Sequence, residues 1–255
     1  MASPLFDTHC HLDWFDERHS LDEVIEGARL VGVEGWIVPG VTPFAWERIA
    51  SVCRRIEGAF PAFGLHPFHA HLWNDSWGER LDAICGDGVA VGEIGLDFTP
   101  GAPDRELQRR VFREQLEIAR RWGKPVIIHC RKAFAETLSI IDELGRGELR
   151  GVVHAFSGSL EIAREFIRRG FLIGIAGSIT FAGARKLPLV VTGVGLGHLL
   201  LETDAPDLAP QPKRGETNRP DNLPLIAQAI GAWTGDLTGR VAEVTTRAAR
   251  TLFLA

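Results

Sequence analysis

Short apolar runs alternate with longer helix-like segments from one end of the chain to the other, and this rhythm leaves few folds open. Eight runs can be read: Leu5–Thr8, Gly35–Val38, Phe60–Gly64, Val89–Gly92, Pro125–Ile128, Gly151–Val153, Phe171–Ile175 and His198–Leu201. Most are near-continuous in Val, Ile, Leu or Phe, as strands covered on both faces must be. Strands joined through helices run parallel, because each crossover returns the chain to the same end of the sheet. Eight of them predict a closed (β/α)8 barrel, the TIM barrel. An open doubly wound sheet is the alternative, but no GxGxxG follows the first run.

The connecting segments carry one dry face each. In Arg105–Trp122, Leu107, Val111, Ile118 and Trp122 share a helical side, Phe112 and Ala119 adjoin it, and arginines fill the rest. Asp104 stands at the N-cap position, and Gly123-Lys124-Pro125 supplies the stop. The stretch Gly177–Gly197 is the least regular, glycine-rich where a seventh helix belongs. No linker or low-complexity tract divides residues 1–255, so a single domain is expected. With 45% apolar and 24% charged residues the chain can fill a sizeable core.

Composition also narrows the function classes. A formal charge of −5 gives no global basic field to draw in nucleic acid, so any polyanion must be met locally. The 4 cysteines follow no CxxC spacing, and the N-terminus has no basic segment leading into an apolar run. A reducing, cytoplasmic setting is expected. Leu187–Leu201, the most apolar stretch, is interrupted by Gly193, Gly195, Gly197 and His198 and falls short of the roughly 20 apolar residues of a membrane span. No membrane role and no obligate protein partner are indicated.

The unusual polar residues fall at the C-terminal ends of the predicted strands, which is where a (β/α)8 barrel builds its active site. His9 and His11 follow the first strand, Glu93 closes the fourth, His129 the fifth, His154 the sixth, and Glu202 and Asp204 the eighth. Side chains at i and i+2 of a strand share a face at roughly 6.6 Å, so His9 and His11 can close on one ion while Cys10 points away. Asp204 can join them, because the eighth strand adjoins the first in a barrel. Glu93 has two oxygens and can bridge to a second ion held by His129 and His154. Imidazoles and carboxylates without cysteine suit divalent ions such as Zn, Mn or Mg better than a closed structural zinc. Glu202 lies one layer deeper, as a support behind a ligand, a ligand to a third ion, or a buried salt-bridge partner. His19 stands away from every strand end and is expected to be dispensable.

Two divalent ions set against Glu93 and Asp204 leave a cationic site, which favours an anion such as a phosphoryl group. Arg131 and Lys132, just past His129, can hold it further, since a guanidinium fork fits phosphate oxygens. Asp204 also fits the general base that takes a proton from attacking water. Lys213, Arg214 and Arg219, in the Pro-rich loop after the eighth strand, fit a solvated loop as well as they fit a DNA contact.

Six segments taken in order, Asp7-Thr8-His9-Cys10-His11-Leu12-Asp13, Gly64-Leu65-His66-Pro67, Gly92-Glu93-Ile94-Gly95-Leu96-Asp97, Ile128-His129-Cys130-Arg131, His154-Ala155-Phe156-Ser157-Gly158 and Leu201-Glu202-Thr203-Asp204-Ala205-Pro206, resemble the TatD family of metal-dependent deoxyribonucleases. The resemblance covers nearly the whole chain. It implies a TIM barrel of the amidohydrolase superfamily and two divalent metal ions as cofactors. It further implies hydrolysis of DNA phosphodiester bonds by a metal-bound water, as a 3′–5′ exonuclease on single strands. It assigns His9, His11, Glu93 and Asp204 to one ion and Glu93, His129 and His154 to the other, and makes His66 and Arg131 substrate-facing. His66, before Pro67, fits a structural role equally. Two departures stand out: Ala155 replaces the cysteine expected after His154, and the loop Gln211–Asn222 differs from the commoner pattern.

Two other functions share these features. The same barrel and ion pair serve amide, lactone and phosphoester hydrolysis, since fold does not fix function; Glu93 argues against the relatives that bridge their ions with a modified lysine. A metal-stabilised scaffold without activity is the other, opposed by the few protein ligands left for the second ion, because structural sites are usually closed.

Overall fold

The computed structural model describes residues 3–17, 20–145 and 147–255. His19 lies outside them. Eight strands form one sheet: β1 Leu5–Asp7, β2 Val33–Pro39, β3 Ala59–Phe63, β4 Ala90–Asp97, β5 Val126–Arg131, β6 Gly151–Val153, β7 Phe171–Ile175 and β8 Leu199–Leu201. They pair in chain order, each parallel to the next. Helices α1 Leu21–Leu30, α2 Trp46–Arg55, α3 Asp75–Ile84, α4 Arg105–Arg121, α5 Phe134–Gly145, α6 Leu160–Arg168, α7 Lys186–Val194, α8 Leu223–Thr234 and α9 Thr238–Phe253 intervene or follow. This is the α/β TIM barrel. No described helix is long and apolar enough to cross a membrane.

Alternation along the strands sorts the side chains into two cores. Phe6, Ile37, Ala62, Ile127, Val152 and Leu200 meet in one buried cluster inside the barrel, while Val126, Ile128, Val153, Leu199 and Leu201 face the helices in another. Ala249, Leu252 and Phe253 of α9 belong to the inner cluster and close the end of the barrel opposite the C-terminal ends of the strands. Two residues beyond Ile127, Val152 and Leu200, on the same strand face, stand His129, His154 and Glu202. The polar layer of the site rests directly on an apolar one.

The seam between the last strand and the first is made by specific bonds. Thr8 donates from both its backbone nitrogen and its hydroxyl to the carbonyl of Leu201 at 3.0 Å. Buried Asp7 accepts from the Thr203 nitrogen at 2.9 Å and from its hydroxyl at 2.5 Å. Asp204 then donates its backbone N–H to His9, and His11 its own to Ala205. Segments 7–11 and 201–205 are thus knitted together.

Two corrections to the sequence expectation bear on the site. β4 does not end at Glu93 but runs to Asp97, with a break in its register to β5 between Val91 and Ile94; β5 runs past His129 to Arg131. The irregularity turns Glu93 into the barrel while the strand continues, and it needs Gly95 at φ 144°, where a β-carbon would strike the His129 carbonyl. The irregular stretch after β7 resolves into a short 3-10 turn, Gly177–Thr180, and then α7. On α4, Asp104 caps the Leu107 nitrogen at 3.0 Å as expected. Trp122, expected on the dry face, is instead 46% exposed just past the helix end, its indole N–H donating to Asp82.

The buried face of α4 carries two glutamines, Gln108 and Gln115, two turns apart. Each brackets the backbone of one residue near the mouth: Gln108 accepts from the Asp97 nitrogen at 2.8 Å and donates to its carbonyl at 2.9 Å, and Gln115 does the same for Leu65 at 2.7 and 3.1 Å. Leu65 precedes His66. Replacing Gln115 with leucine would orphan a buried N–H and a buried carbonyl, at about 1–3 kcal/mol each. We expect Gln115→Leu to lower unfolding free energy by at least about 2 kcal/mol in urea titration; a change within 0.5 kcal/mol, roughly what an ordinary surface substitution gives, would show that the bracket does not hold the loop.

Candidate metal centre

Glu93 is the centre of the mouth, almost wholly buried, and its two oxygens face different histidines. Oε2 lies 3.3 Å from His9 Nε2. Oε1 lies 2.7 Å from His154 Nε2, 2.9 Å from His129 Nδ1 and 3.5 Å from His66 Nε2. Asp204 Oδ1 completes the first group at 3.5 Å from His9 Nε2 and 3.7 Å from His11 Nε2. His9 stacks on His154 with ring centroids 4.0 Å apart, and His11 stacks on Trp14 at 4.6 Å. The six residues expected to converge lie together at the mouth, with Glu93 and His129 inside β4 and β5 rather than at their ends.

Among the described residues, three donor sets have ligand atoms within 4.8 Å of one another: His9, His11 and Glu93; His66, Glu93 and His129; and His9, His154 and Glu202. Among the described residues, both ring nitrogens of His9 and the Nδ1 atoms of His11 and His154 are buried without a hydrogen-bond partner. Leaving such atoms unpaired is costly.

Glu202 is fully buried one layer below, as the alternation requires. Its Oε1 accepts from the Ala155 N–H and lies 3.8 Å from His154 Nδ1. Gly174 makes the space, since a β-carbon there would lie 2.5 Å from Glu202 Oε2. Asp97 is a site residue to which the sequence reading gave no role. Its Oδ2 accepts from His129 Nε2 at 2.9 Å, and Thr99 donates to its other oxygen. The signal was present in the chain as a carboxylate at i+4 from Glu93, but the expected end of the strand hid it.

The protein's own charges explain the protonation states. Burial would raise the Glu93 pKa, yet the facing histidines 154, 66 and 9 hold it well below the ordinary range. Burial opposes a charge on His154 too, but Glu93 outweighs it and lifts its pKa to about 10. For His129, hydrogen bonds to Asp97 and Glu93 likewise overcome burial and raise it. Burial keeps His9 neutral and drives His66 down to about 3. It pushes Asp204 up to about 6 and Glu202 to about 8.

A cleft of about 480 Å³ opens above this cluster, lined by His129, Arg131, His154, Ser157, Ser178, Asp204 and Asp207. Arg131 is exposed on its wall. His66 turns inward, its Nδ1 accepting from the Phe68 nitrogen at 3.1 Å. Of the three loop cations, Lys213 faces Glu216 and Arg219 faces Asp221, whereas the Arg214 guanidinium lies 4.6 Å over the Phe181 ring.

Residues 6–254 match the sequence model of the family described as TatD related DNase. The chain belongs to that family. It is 34% identical over 252 residues to the uncharacterized metal-dependent hydrolase YabD of Bacillus subtilis, covering 98% of each chain. It is also 34% identical over 258 residues to a protein of Cronobacter sakazakii named 3′-5′ ssDNA/RNA exonuclease TatD, again over 98% of each. The crystal structure of YJJV, a TatD homologue from Escherichia coli K12, superposes with a TM-score of 0.90 at 32% identity, covering 98% of both chains. The chain is therefore a TatD-type metal-dependent hydrolase.

The cluster fits the metal dependence of the TatD family on physical grounds. His129 and His154 face a buried carboxylate that needs positive charge beside it, and a divalent cation held between them supplies that charge directly. It would also give the unpartnered His9 nitrogen facing Glu93 and Asp204 something to bind. Asp97 hydrogen-bonds the far nitrogen of His129 and so fixes which nitrogen faces Glu93. Asp97→Asn should therefore weaken divalent-ion binding by about 10–100-fold, read by competition with a fluorescent chelator. Wild-type affinity in a folded Asp97→Asn protein would remove this role.

Proposed function

We propose that this protein is a two-metal phosphodiesterase acting on nucleic acid, cutting single-stranded DNA from the 3′ end. The observation that carries the two-ion reading is the division of Glu93: Oε2 faces His9 beside His11 and Asp204, and Oε1 faces His129 and His154. We assign His9, His11, Glu93 and Asp204 to one ion and Glu93, His129 and His154 to the other, with Zn, Mn or Mg as the ion. Such ions, when bound, would polarise a phosphoryl oxygen and lower the pKa of water.

The chain's own groups do the rest. Asp204 stands in the cleft wall, where a carboxylate can accept the proton that attacking water must lose. The guanidinium of Arg131 presents paired N–H donors to non-bridging phosphate oxygens. His66 is neutral, and because its Nδ1 accepts from Phe68 the hydrogen sits on Nε2, the atom that faces Glu93 and the substrate space. Asp97 supports His129 through a direct hydrogen bond, whereas Glu202 stands behind His154 at 3.8 Å, too far to bond it. The name of the Cronobacter sakazakii relative supports both the polarity and the single-stranded substrate. Residues 1–255 act as a single domain on this reading, supported by one eight-stranded sheet whose floor is closed by α9. The four free thiols support a reducing, cytoplasmic setting.

Exhaustive dialysis against EDTA should abolish release of nucleotides from single-stranded oligonucleotides, and added divalent ions should restore it. With 3′-labelled substrate, label should leave as mononucleotide at the earliest times; with 5′-labelled substrate, a ladder should shorten. Undiminished cutting without metal sinks the metal reading, and early release of 5′ label reverses the polarity.

Asp204→Asn keeps the shape and one oxygen but loses the charge and most of the basicity. Its kcat at saturating metal should fall by at least about 10²-fold, with circular dichroism unchanged. Wild-type turnover in this variant would refute the assignment.

A further inference from the structure

A second pocket of about 500 Å³ adjoins the metal cleft and shares Ser157 and Ser178 with it. Its lining includes Arg185, Lys186, Arg214 and Phe181. All three cations are exposed, and among the described residues none has a carboxylate within ion-pair distance, whereas on α4 Arg109, Arg113, Arg120 and Arg121 are each paired with an acid. Three unpaired positive charges lining one pocket are held together only against their mutual repulsion.

The pocket is built rather than accidental. The loop after β8 is fastened to the turn after β7, where the Gln211 nitrogen donates to the Thr180 hydroxyl at 2.8 Å. In the same loop the Arg214 guanidinium carbon lies 4.6 Å from the centre of the Phe181 ring, a cation–π contact that places the charge at the pocket wall. Buried Asn218 folds the far part of the same loop back, donating to the carbonyls of Thr203 at 2.8 Å and Asp207 at 2.6 Å.

We propose that Arg185, Lys186 and Arg214 form a phosphate subsite for the part of a nucleic-acid strand that extends beyond the nucleotide in the metal cleft. The proposal rests on the phosphodiesterase reading above. Ser157 and Ser178 line both spaces, so a strand leaving the metal cleft on that side meets the second pocket next, and the charge there complements a polyanionic backbone without reading its bases. The subsite would give the protein a preference for strands over short fragments, which the metal centre alone cannot provide.

The test is steady-state kinetics of the metal-loaded protein on a tetranucleotide and a 20-mer of the same repeated sequence, across a series of salt concentrations. In the wild type, KM should fall with length. In the triple variant Arg185→Ala/Lys186→Ala/Arg214→Ala, that length advantage should shrink by about tenfold, and the salt dependence of log KM for the 20-mer should flatten by about 0.7 for each phosphate no longer neutralised. Arg54→Ala/Arg80→Ala removes two cations from a separate groove between α2 and α3 and tests whether losing positive charge elsewhere on the surface has the same effect; it should keep the wild-type length advantage. A triple variant with the wild-type advantage and salt slope, or a wild type with no advantage, overturns the subsite while leaving the nuclease reading standing. A wild type that cuts neither oligonucleotide under any metal overturns the nuclease reading and the subsite with it.

Discussion

A carboxylate with almost no access to water is tolerable only when positive charge or hydrogen-bond donors surround it. Glu93 is such a group, and the mouth of the barrel is arranged around it. Four imidazoles, on or just beyond three strands and from one loop, point at its two oxygens, and two of them carry raised pKa values, His129 through Asp97 and Glu93 together and His154 through Glu93. The break in β4 that turns Glu93 inward, the absence of a side chain at Gly95 and the continuation of the strand to Asp97 follow from the same requirement. Remove this one charge and the histidines lose the partner that brings them together.

Much of this was legible in the chain. Parallel strands buried on both faces read as continuous apolar runs, so Val126-Ile127-Ile128 and Val152-Val153 announce themselves, and the histidine that follows each is conspicuous against them. The i, i+2 pairs His9 and His11, and Glu202 and Asp204, carry their geometry in their spacing. Less legible were the groups that act through a neighbour. Asp97 was hidden because glycines at 92 and 95 read as the end of a strand when they mark an irregularity within one. Gln108 and Gln115 look like ordinary polar positions on an arginine-rich helix; only their register with Val111, Phe112 and Ile118 betrays that they face inward. Trp122 misled in the other direction, since its spacing put it on the dry side of the helix while its place beyond the last turn put it outside.

The loop after β8 is divided by its partners. Lys213 and Arg219 are held by nearby acids, and Arg214 is set on an aromatic ring at the edge of the cleft. Sequence alone treats these three cations as equivalent. The distinction depends on where the Thr180 hydroxyl and the Phe181 ring meet the loop, and those segments lie some 30 residues apart in the chain.

The seam between β1 and β8 has a consequence in time as well as in space. Asp7 and Thr203 are 196 positions apart, and the bonds between them are what bring His9 and His11 against Asp204. A chain emerging from the ribosome presents its two histidines first and waits through seven more strands for the carboxylate that completes their group. Contacts of such long sequence separation form late. The first strand must therefore remain unpaired on one edge for most of synthesis, and half of the donor set stays out of reach of the other half until nearly the whole barrel has been made.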